Sequence, residues 1–98
     1  MNLVIVTATW DEIKPLEKFL QEMDAEGKLH DHAVEICVTG IGGTQTAFQL
    51  GKILSTGRWD LAIQLGICGS FKKEFAIGTT VNVVEECLIK FIDILRKC

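Results

Sequence analysis

Apolar residues along most of the chain form short continuous runs that alternate with stretches of helical spacing. Three strand-like runs, at 2–8, 33–39 and 59–65, each end in small or glycine residues, and a fourth at 79–84 is rich in threonine and valine. The first run contains Leu3, Val4, Ile5 and Val6 without polar alternation, which is typical of a strand that is covered on both faces. The pattern predicts an α/β protein with an open, mostly parallel sheet.

Between these runs, apolar residues recur at intervals of three and four, which is typical of amphipathic helices. Pro15 favours a first helix that begins near Lys14, because proline is tolerated best at the first helical position. A second helix is predicted over 44–54, and a short amphipathic helix over 87–98. The first helix has its apolar stripe at Ile13, Leu16, Phe19, Leu20 and Met23, and the second at Ala47, Leu50, Gly51 and Leu54.

The turns after the first three runs form the candidate functional region. The carboxyl ends of parallel strands lie at one edge of a sheet, so these turns should converge on one crevice where a ligand can approach the backbone. Asp11 and Glu12 are the acidic residues that follow most closely on any of them. The turns are Thr7-Ala8-Thr9, Gly40-Ile41-Gly42-Gly43 and Gly66-Ile67-Cys68-Gly69-Ser70.

Glu12 has two interpretations. Together with Thr9 it fits the capping-box pattern, in which its carboxylate bonds back to the start of the helix. If Pro15 opens the helix instead, Glu12 lies free in the turn, where a carboxylate can act as a general base. Asp11 competes for either role, and the residues alone do not choose between them.

The glycine turns also have two interpretations. The turn at 40–43 leads from a strand into a helix, so its amides suit an anion or a sugar hydroxyl, although a structural tight turn explains the glycines equally well. It is not a dinucleotide fingerprint, because Gln45 stands where the third glycine is required. Cys68 has no histidine near it in sequence, which favours a small wall residue over a nucleophile.

Composition narrows the possible partners. The chain has 98 residues, the length of one domain, and its formal net charge of -3 comes from 13 acidic and 10 basic residues. These charges are scattered, which argues against nucleic-acid binding. The sequence shows no basic leader and no apolar stretch long enough for a bilayer, so we expect a cytoplasmic protein without a membrane partner.

The chain offers few ligands for a metal. His30 and His32 are two residues apart without a clear third ligand. The four cysteines include no Cys-x-x-Cys pair, and reduced thiols are expected. We therefore predict no metal and no cofactor. The cysteines are Cys37, Cys68, Cys87 and Cys98.

The three turns, in this order, resemble those of the nucleoside phosphorylase and nucleosidase superfamily. Their spacing looks like that of methylthioadenosine/S-adenosylhomocysteine nucleosidase, and the Glu-Ile-x-Pro-Leu that begins at Glu12 looks like futalosine hydrolase of the menaquinone route. The resemblance implies a three-layer α/β/α fold with a mostly parallel sheet, of which 1–86 would be the N-terminal portion and 87–98 a departing helix. The segments that carry it are Thr7 to Ile13, Thr39 to Gly42 and Leu65 to Ser70.

By that resemblance, Glu12 matches the acidic residue that deprotonates the attacking water. Phosphorylases of the superfamily carry a threonine or serine where Ile67 stands, so water is the expected nucleophile and a small nucleoside the expected substrate. The matched substrate-binding residues are Ala8 and Thr9 beside the ribose and water, Ile41 and Gly42 at the sugar, and Ile67, Cys68 and Gly69 at the base.

The chain also departs from the superfamily. Family members are longer, and their later half supplies a Met-Glu pair that holds ribose and a Ser-Asp pair that protonates the departing base; neither pair occurs here. We therefore expect a truncated N-ribosyl hydrolase that is weak or inactive. The alternatives are a phosphate-dependent phosphorylase and a non-catalytic module that self-associates, and the apolar surface of 87–98 favours a homo-oligomer.

Overall fold

The computed structural model describes residues 1–86 and shows a small α/β protein. Its three strands form one parallel open sheet in the order β2-β1-β3, so the predicted α/β class and parallel sheet are confirmed. The chain divides into two units, Met1–Cys68 and Gly69–Cys98, and these strands and helices belong to the first. The elements are β1 (Asn2–Thr7), α1 (Trp10–Ala25), β2 (Ala33–Val38), α2 (Gly43–Ser55) and β3 (Leu61–Gln64).

The apolar core is centred on β1, the middle strand. Val4, Ile5 and Val6 are buried, and they form the core together with Ile13 of α1. Because successive side chains of a strand point to opposite faces, burial of three consecutive residues means that both faces of β1 are covered. This confirms the interpretation of the first apolar run.

The first helix begins earlier than the sequence predicts. It starts at Trp10, with Thr9 in the extended conformation of an N-cap, and Pro15 lies inside it. The predicted start near Lys14 is therefore wrong. Pro15 has no N–H for the carbonyl of Asp11, which costs one helical hydrogen bond. Burial of Ile13 in the core stabilises the turn before the proline and offsets this cost.

The second helix presents a different stripe from the predicted one. The hydroxyl of Thr46 lies 3.2 Å from that of Thr39, and the indole of Trp59 donates to the carbonyl of Ile53 at 3.0 Å. These bonds at either end of α2 fix its rotation. The half-buried residues of α2 are Thr46, Gln49, Leu50 and Ile53, whereas Ala47, Gly51 and Leu54 are exposed.

The predicted fourth strand is not formed: residues 79–84 have no strand assignment. At its start, the backbone N–H and the hydroxyl of Thr79 both donate to the carbonyl of Ala76, at 3.1 and 2.7 Å, which makes a turn. Residues rich in threonine and valine favour a strand only where neighbouring strands supply contacts. Local composition was therefore insufficient for this segment.

Two sequence predictions concern membranes and the chain end. Within residues 1–86, no helix has the length and apolar character needed to cross a membrane. The amphipathic helix predicted over 87–98 lies outside the described residues.

Candidate functional site

The turns after β1 and β2 are joined by backbone hydrogen bonds. The N–H of Thr39 donates to the carbonyl of Thr7 at 2.9 Å, and the N–H of Gly40 donates to the carbonyl of Ala8 at 3.1 Å. These bonds continue the parallel pairing one step beyond each strand. The first two candidate turns therefore lie side by side at the carboxyl edge of the sheet.

The turn after β3 joins the same edge on the other side of β1. The N–H of Leu65 donates to the carbonyl of Val6 at 2.9 Å. The sheet has the order β2-β1-β3, so the chain goes from β1 to β2 on one side and then passes β1 to reach β3 on the other side. The direction in which strands are added therefore reverses between β1 and β3. Ligands of open α/β sheets bind at the carboxyl edge beside such a reversal.

Glu12 lies at this reversal and connects its two sides. Its Oε1 accepts a hydrogen bond from the hydroxyl of Thr9 at 2.7 Å, and its Oε2 accepts one from the backbone N–H of Ile67 at 2.9 Å. Glu12 and Ile67 are 55 residues apart, so the fold and not local sequence brings them together. The carboxylate thus bridges the turn before α1 and the turn after β3.

The capping box is not formed, although Glu12 stands at the right position for one. Thr9 makes no side-chain capping bond to the helix backbone, and its hydroxyl donates to the Glu12 carboxylate instead. Glu12 reaches across to β3's turn and does not fold back on its own helix. The carboxylate is therefore directed toward the turn after β3.

The hydrogen bonds favour the ionised form of Glu12. The N–H of Ile67 lowers the pKa of the Glu12 carboxyl most, the hydroxyl of Thr9 lowers it further, and desolvation opposes both. Donors to a carboxylate stabilise its charged form, which is the cause of the shift. Glu12 is thus a carboxylate at neutral pH, the state required to accept a proton.

Asp11 is placed differently. Its carboxylate pairs with the amine of Lys14 at 2.9 Å, and both side chains are largely exposed. The hydrogen bond and charge of Asp11 raise the pKa of Lys14. An exposed pair of this kind contributes little to stability. Of the two acidic residues, Glu12 is the one that contacts the third turn.

The glycine turn before α2 has an unusual backbone. Gly40 and Gly42 have φ angles of 86 and 99°, in the region that side chains disfavour, and Gly42 is the N-cap of α2 without a side-chain cap. The first turn of α2 contains no acidic residue. Its backbone N–H groups are accordingly suited to donate hydrogen bonds to an oxygen of a ligand, and the same geometry serves a tight turn.

Thr39 belongs to one of the segments that carry the resemblance, but no role for its side chain was predicted from the sequence. It is buried, and its hydroxyl lies 3.0 Å from the carbonyl of Gly40 and 3.3 Å from that of Thr7. It also contacts the hydroxyl of Thr46, which donates to the carbonyl of Gly42 at 2.9 Å. This network holds the glycine turn against β1. The position of Thr39 at the end of a strand, directly before a glycine turn, was the sequence feature that could have indicated this role.

The predicted base-pocket and sugar residues are placed as follows. Ile67 joins Glu12 through its amide, while its side chain is 86% exposed. Ile41 is 78% exposed beside Gly42 in the turn before α2. Cys68 is exposed, and its thiol forms no disulfide with another residue of 1–86. Gly69 is the first residue of the second unit.

Two surface depressions of the described residues lie outside the candidate site, which is defined by its hydrogen bonds. One surface depression lies at the amino end of the sheet and includes Asn2 and Arg58. Another lies between α1 and β2 and includes Leu20 and His32. Neither is lined by Glu12. In the part of the chain that the structure describes, no group of three or more histidine, cysteine or acidic side chains is placed to hold a metal.

Comparisons with protein-family models, curated proteins and solved structures find no match to this chain. The resemblance seen in the three turns stays a prediction, and the functional argument rests on the geometry around Glu12.

Proposed function

We propose that the chain is the N-terminal part of an N-ribosyl hydrolase that cleaves the glycosidic bond of a purine-type nucleoside. The substrate class, exemplified by methylthioadenosine, S-adenosylhomocysteine and futalosine, comes from the resemblance of the three turns. The observation that carries the proposal is the ionised Glu12 carboxylate at the reversal of strand order, held by Thr9 and Ile67.

The carboxylate keeps capacity for water. A carboxylate has about four lone-pair positions, and Thr9 and Ile67 occupy one on each oxygen. A water bound to the remaining positions would donate a proton to Glu12 as it attacks the sugar carbon. Glu12 therefore has the charge and the free acceptor positions that a general base needs.

Strand order supports the proposed three-layer fold. Parallel strands are joined by right-handed crossovers in nearly all proteins. The crossover through α1 runs from β1 to one side, and the crossover through α2 returns past β1 to the other side. The two crossovers have the same hand but run across the sheet in opposite directions, so right-handed connections put α1 and α2 on opposite faces of the sheet. A three-layer nucleosidase-like fold requires this arrangement.

Water is favoured over phosphate as the nucleophile. The residue that interacts with Glu12 from the third turn is Ile67, which contributes a backbone N–H and an apolar side chain. A phosphorylase needs hydroxyl and cationic groups to hold phosphate, and Ile67 supplies neither. Hydrolysis should accordingly proceed without inorganic phosphate, and slowly, because the residues that protonate the departing base in the family have no match here.

The test measures base release from the three nucleosides with and without phosphate, over long incubations. Glu12→Gln should lower the rate by about 100-fold or more, the usual contribution of a general base. Asp11→Asn is the matched control, because it removes the same charge from an exposed neighbour paired with Lys14. Its rate should equal that of the unsubstituted protein.

Binding gives a second readout for a slow enzyme. Added nucleoside should shift the amide resonances of Ile67 and Gly42. Hydrolysis that survives Glu12→Gln contradicts the proposed role of Glu12, and absence of both hydrolysis and binding with all three nucleosides contradicts the function. Turnover that requires phosphate would make the protein a phosphorylase.

A non-catalytic, self-associating module is the second candidate, and β3 favours it. Every residue of β3 is exposed, including Leu61 at 47% and Ile63 at 38%. An exposed apolar edge strand is a surface on which another chain can pair. Light scattering should then show dimers that Ile63→Lys converts to monomers, and a protein that is monomeric at every concentration contradicts this candidate.

A further inference from the structure

Gly66 lies directly against the Glu12 carboxylate. A Cβ atom built on Gly66 would stand 2.7 Å from Oε2 of Glu12. Two non-bonded carbon atoms reach their best separation at about 3.5–4.0 Å. A contact of 2.7 Å between a Cβ and an oxygen is closer than real Cβ atoms come to their neighbours, so it is a clash. The carboxylate therefore occupies the space that a side chain at this position would take.

Backbone conformation does not explain the glycine. Gly40 and Gly42 have positive φ angles, whereas Gly66 is outside the left-handed region. Its φ angle therefore does not require a glycine. Close approach of another group is the remaining reason for a glycine, and that group is Glu12.

The same approach brings the carboxylate to its strongest donor. Oε2, the oxygen that a Cβ on Gly66 would meet, is the oxygen that accepts the N–H of Ile67 at 2.9 Å. A side chain at position 66 and this hydrogen bond therefore compete for one place. The hydroxyl of Thr9 donates to Oε1, the other oxygen of the carboxylate.

We propose that Gly66 is a positioning residue for Glu12, and that its missing side chain lets the carboxylate reach the amide of Ile67. Its importance for catalysis rests on the function proposed above, but the positioning itself does not. Gly66 is not one of the substrate-binding residues predicted from the sequence.

Gly66→Ala should displace Glu12 without unfolding the protein. The atom in its way is the far end of a flexible side chain, which can rotate aside. The bond from Ile67 to Glu12 is then lost while the bond from Thr9 can persist. Since the Ile67 N–H is the largest cause of the lowered pKa, that pKa should rise toward the ordinary glutamate value.

The experiment follows the Glu12 carboxyl carbon and the Ile67 amide proton by NMR across acidic pH, without added nucleoside. In the unsubstituted protein the Ile67 amide should shift with the titration of Glu12, because the carboxylate is its acceptor. Gly66→Ala should raise the pKa of Glu12 and abolish that amide shift. It should also speed hydrogen exchange of the Ile67 amide by roughly fivefold, which corresponds to the net free energy of one hydrogen bond.

Gly69→Ala is the matched control, because a Cβ on Gly69 meets no atom of residues 1–86 within 4 Å and its φ is also outside the left-handed region. It should leave the titration of Glu12 and the Ile67 amide unchanged. The proposal is overturned if Gly66→Ala also leaves both unchanged, or if Gly69→Ala alters them equally.

A double substitution isolates the contact from general effects on folding. In a Glu12→Ala background there is no carboxylate for the new methyl group to displace, so Gly66→Ala should no longer alter exchange of the Ile67 amide. An undiminished effect in that background contradicts the proposal. A raised pKa in a protein that neither hydrolyses nor binds any of the three nucleosides leaves the positioning intact and removes the proposed function. An unchanged pKa in an active enzyme that depends on Glu12 removes the positioning and leaves the function intact.

Discussion

Ile13 should be the residue whose truncation most clearly loosens the start of α1 from the sheet. Its side chain is 1% exposed, and it is the buried residue of α1. It directly follows Glu12, so the contact that anchors the helix also fixes the backbone that carries the carboxylate. Ile13→Val removes one carbon from this contact, and Ile13→Ala removes three.

The expected cost follows from burial. Each buried methylene contributes about 0.8 kcal/mol, so three carbons account for roughly 2.4 kcal/mol before any cavity is considered. The cavity left behind raises the cost of such truncations to about 2–5 kcal/mol, against about 0.5–1.5 kcal/mol for Ile→Val. Domains are stable by only about 5–15 kcal/mol. Ile13→Val should therefore stay folded, while Ile13→Ala should lose a large part of its stability.

Chemical denaturation followed by circular dichroism measures this cost. Ile41→Val is the matched control, since it makes the same chemical change at a residue that is 78% exposed. It should alter the free energy of unfolding by less than about 0.5 kcal/mol. Equal unfolding midpoints for Ile13→Val and Ile41→Val would refute the placement of Ile13 in the core.

Two further predictions concern the site. The lowered pKa of Glu12 means that its charge stabilises the folded state; this contribution is complete above the ordinary glutamate value of 4.5 and is lost as pH falls through the lower folded pKa. Denaturation at several pH values should show that loss in the unsubstituted protein and not in Glu12→Gln, and parallel pH curves would contradict it. Thr39→Val should cost about 1–2 kcal/mol, because it removes a buried hydroxyl from the network at the glycine turn. Thr44→Val, the same change at an exposed position, should cost less in the same assay, and equal costs would contradict the network.

The sheet was predictable because its strands are encoded locally. The runs at 2–8, 33–39 and 59–65 each contain a strand of the structure. The lack of polar alternation in the first run predicted the burial of β1, whereas β2 is only partly buried and β3 is exposed. The run at 79–84 failed because strand propensity needs a neighbouring strand, and composition alone does not supply one. Local pattern therefore predicted strands where pairing partners existed.

The start of α1 was mispredicted because tertiary packing outweighed a local rule. Pro15 disfavours a helix that begins at Trp10, but it removes one hydrogen bond, whereas Ile13 gains a place in the core. The rotation of α2 was missed for a similar reason, since the bond from Trp59 to Ile53 depends on where the chain goes after the helix. Such contacts are invisible to helical periodicity.

The site illustrates what sequence spacing can and cannot define. Convergence of three turns follows from parallel topology, and the sequence predicted it. The partner of Glu12 does not follow, because a capping box and a contact with the third turn are equally compatible with the same residues. What decides between them is the register of β3, in which Val6 pairs with Gln64 and the N–H of Leu65 bonds to Val6.

That register makes the carboxylate and the sheet interdependent. A slip of β3 by one residue would move Ile67 along the edge and turn the side chains of β3 to the opposite faces. Gly66 would then no longer lie against Oε2. Glu12 would lose the hydrogen bond from the N–H of Ile67 and the space that Gly66 leaves for its carboxylate. The one hydrogen bond between Ile67 and Glu12 therefore reports at once on strand pairing, on the glycine at 66 and on the charge of the candidate base.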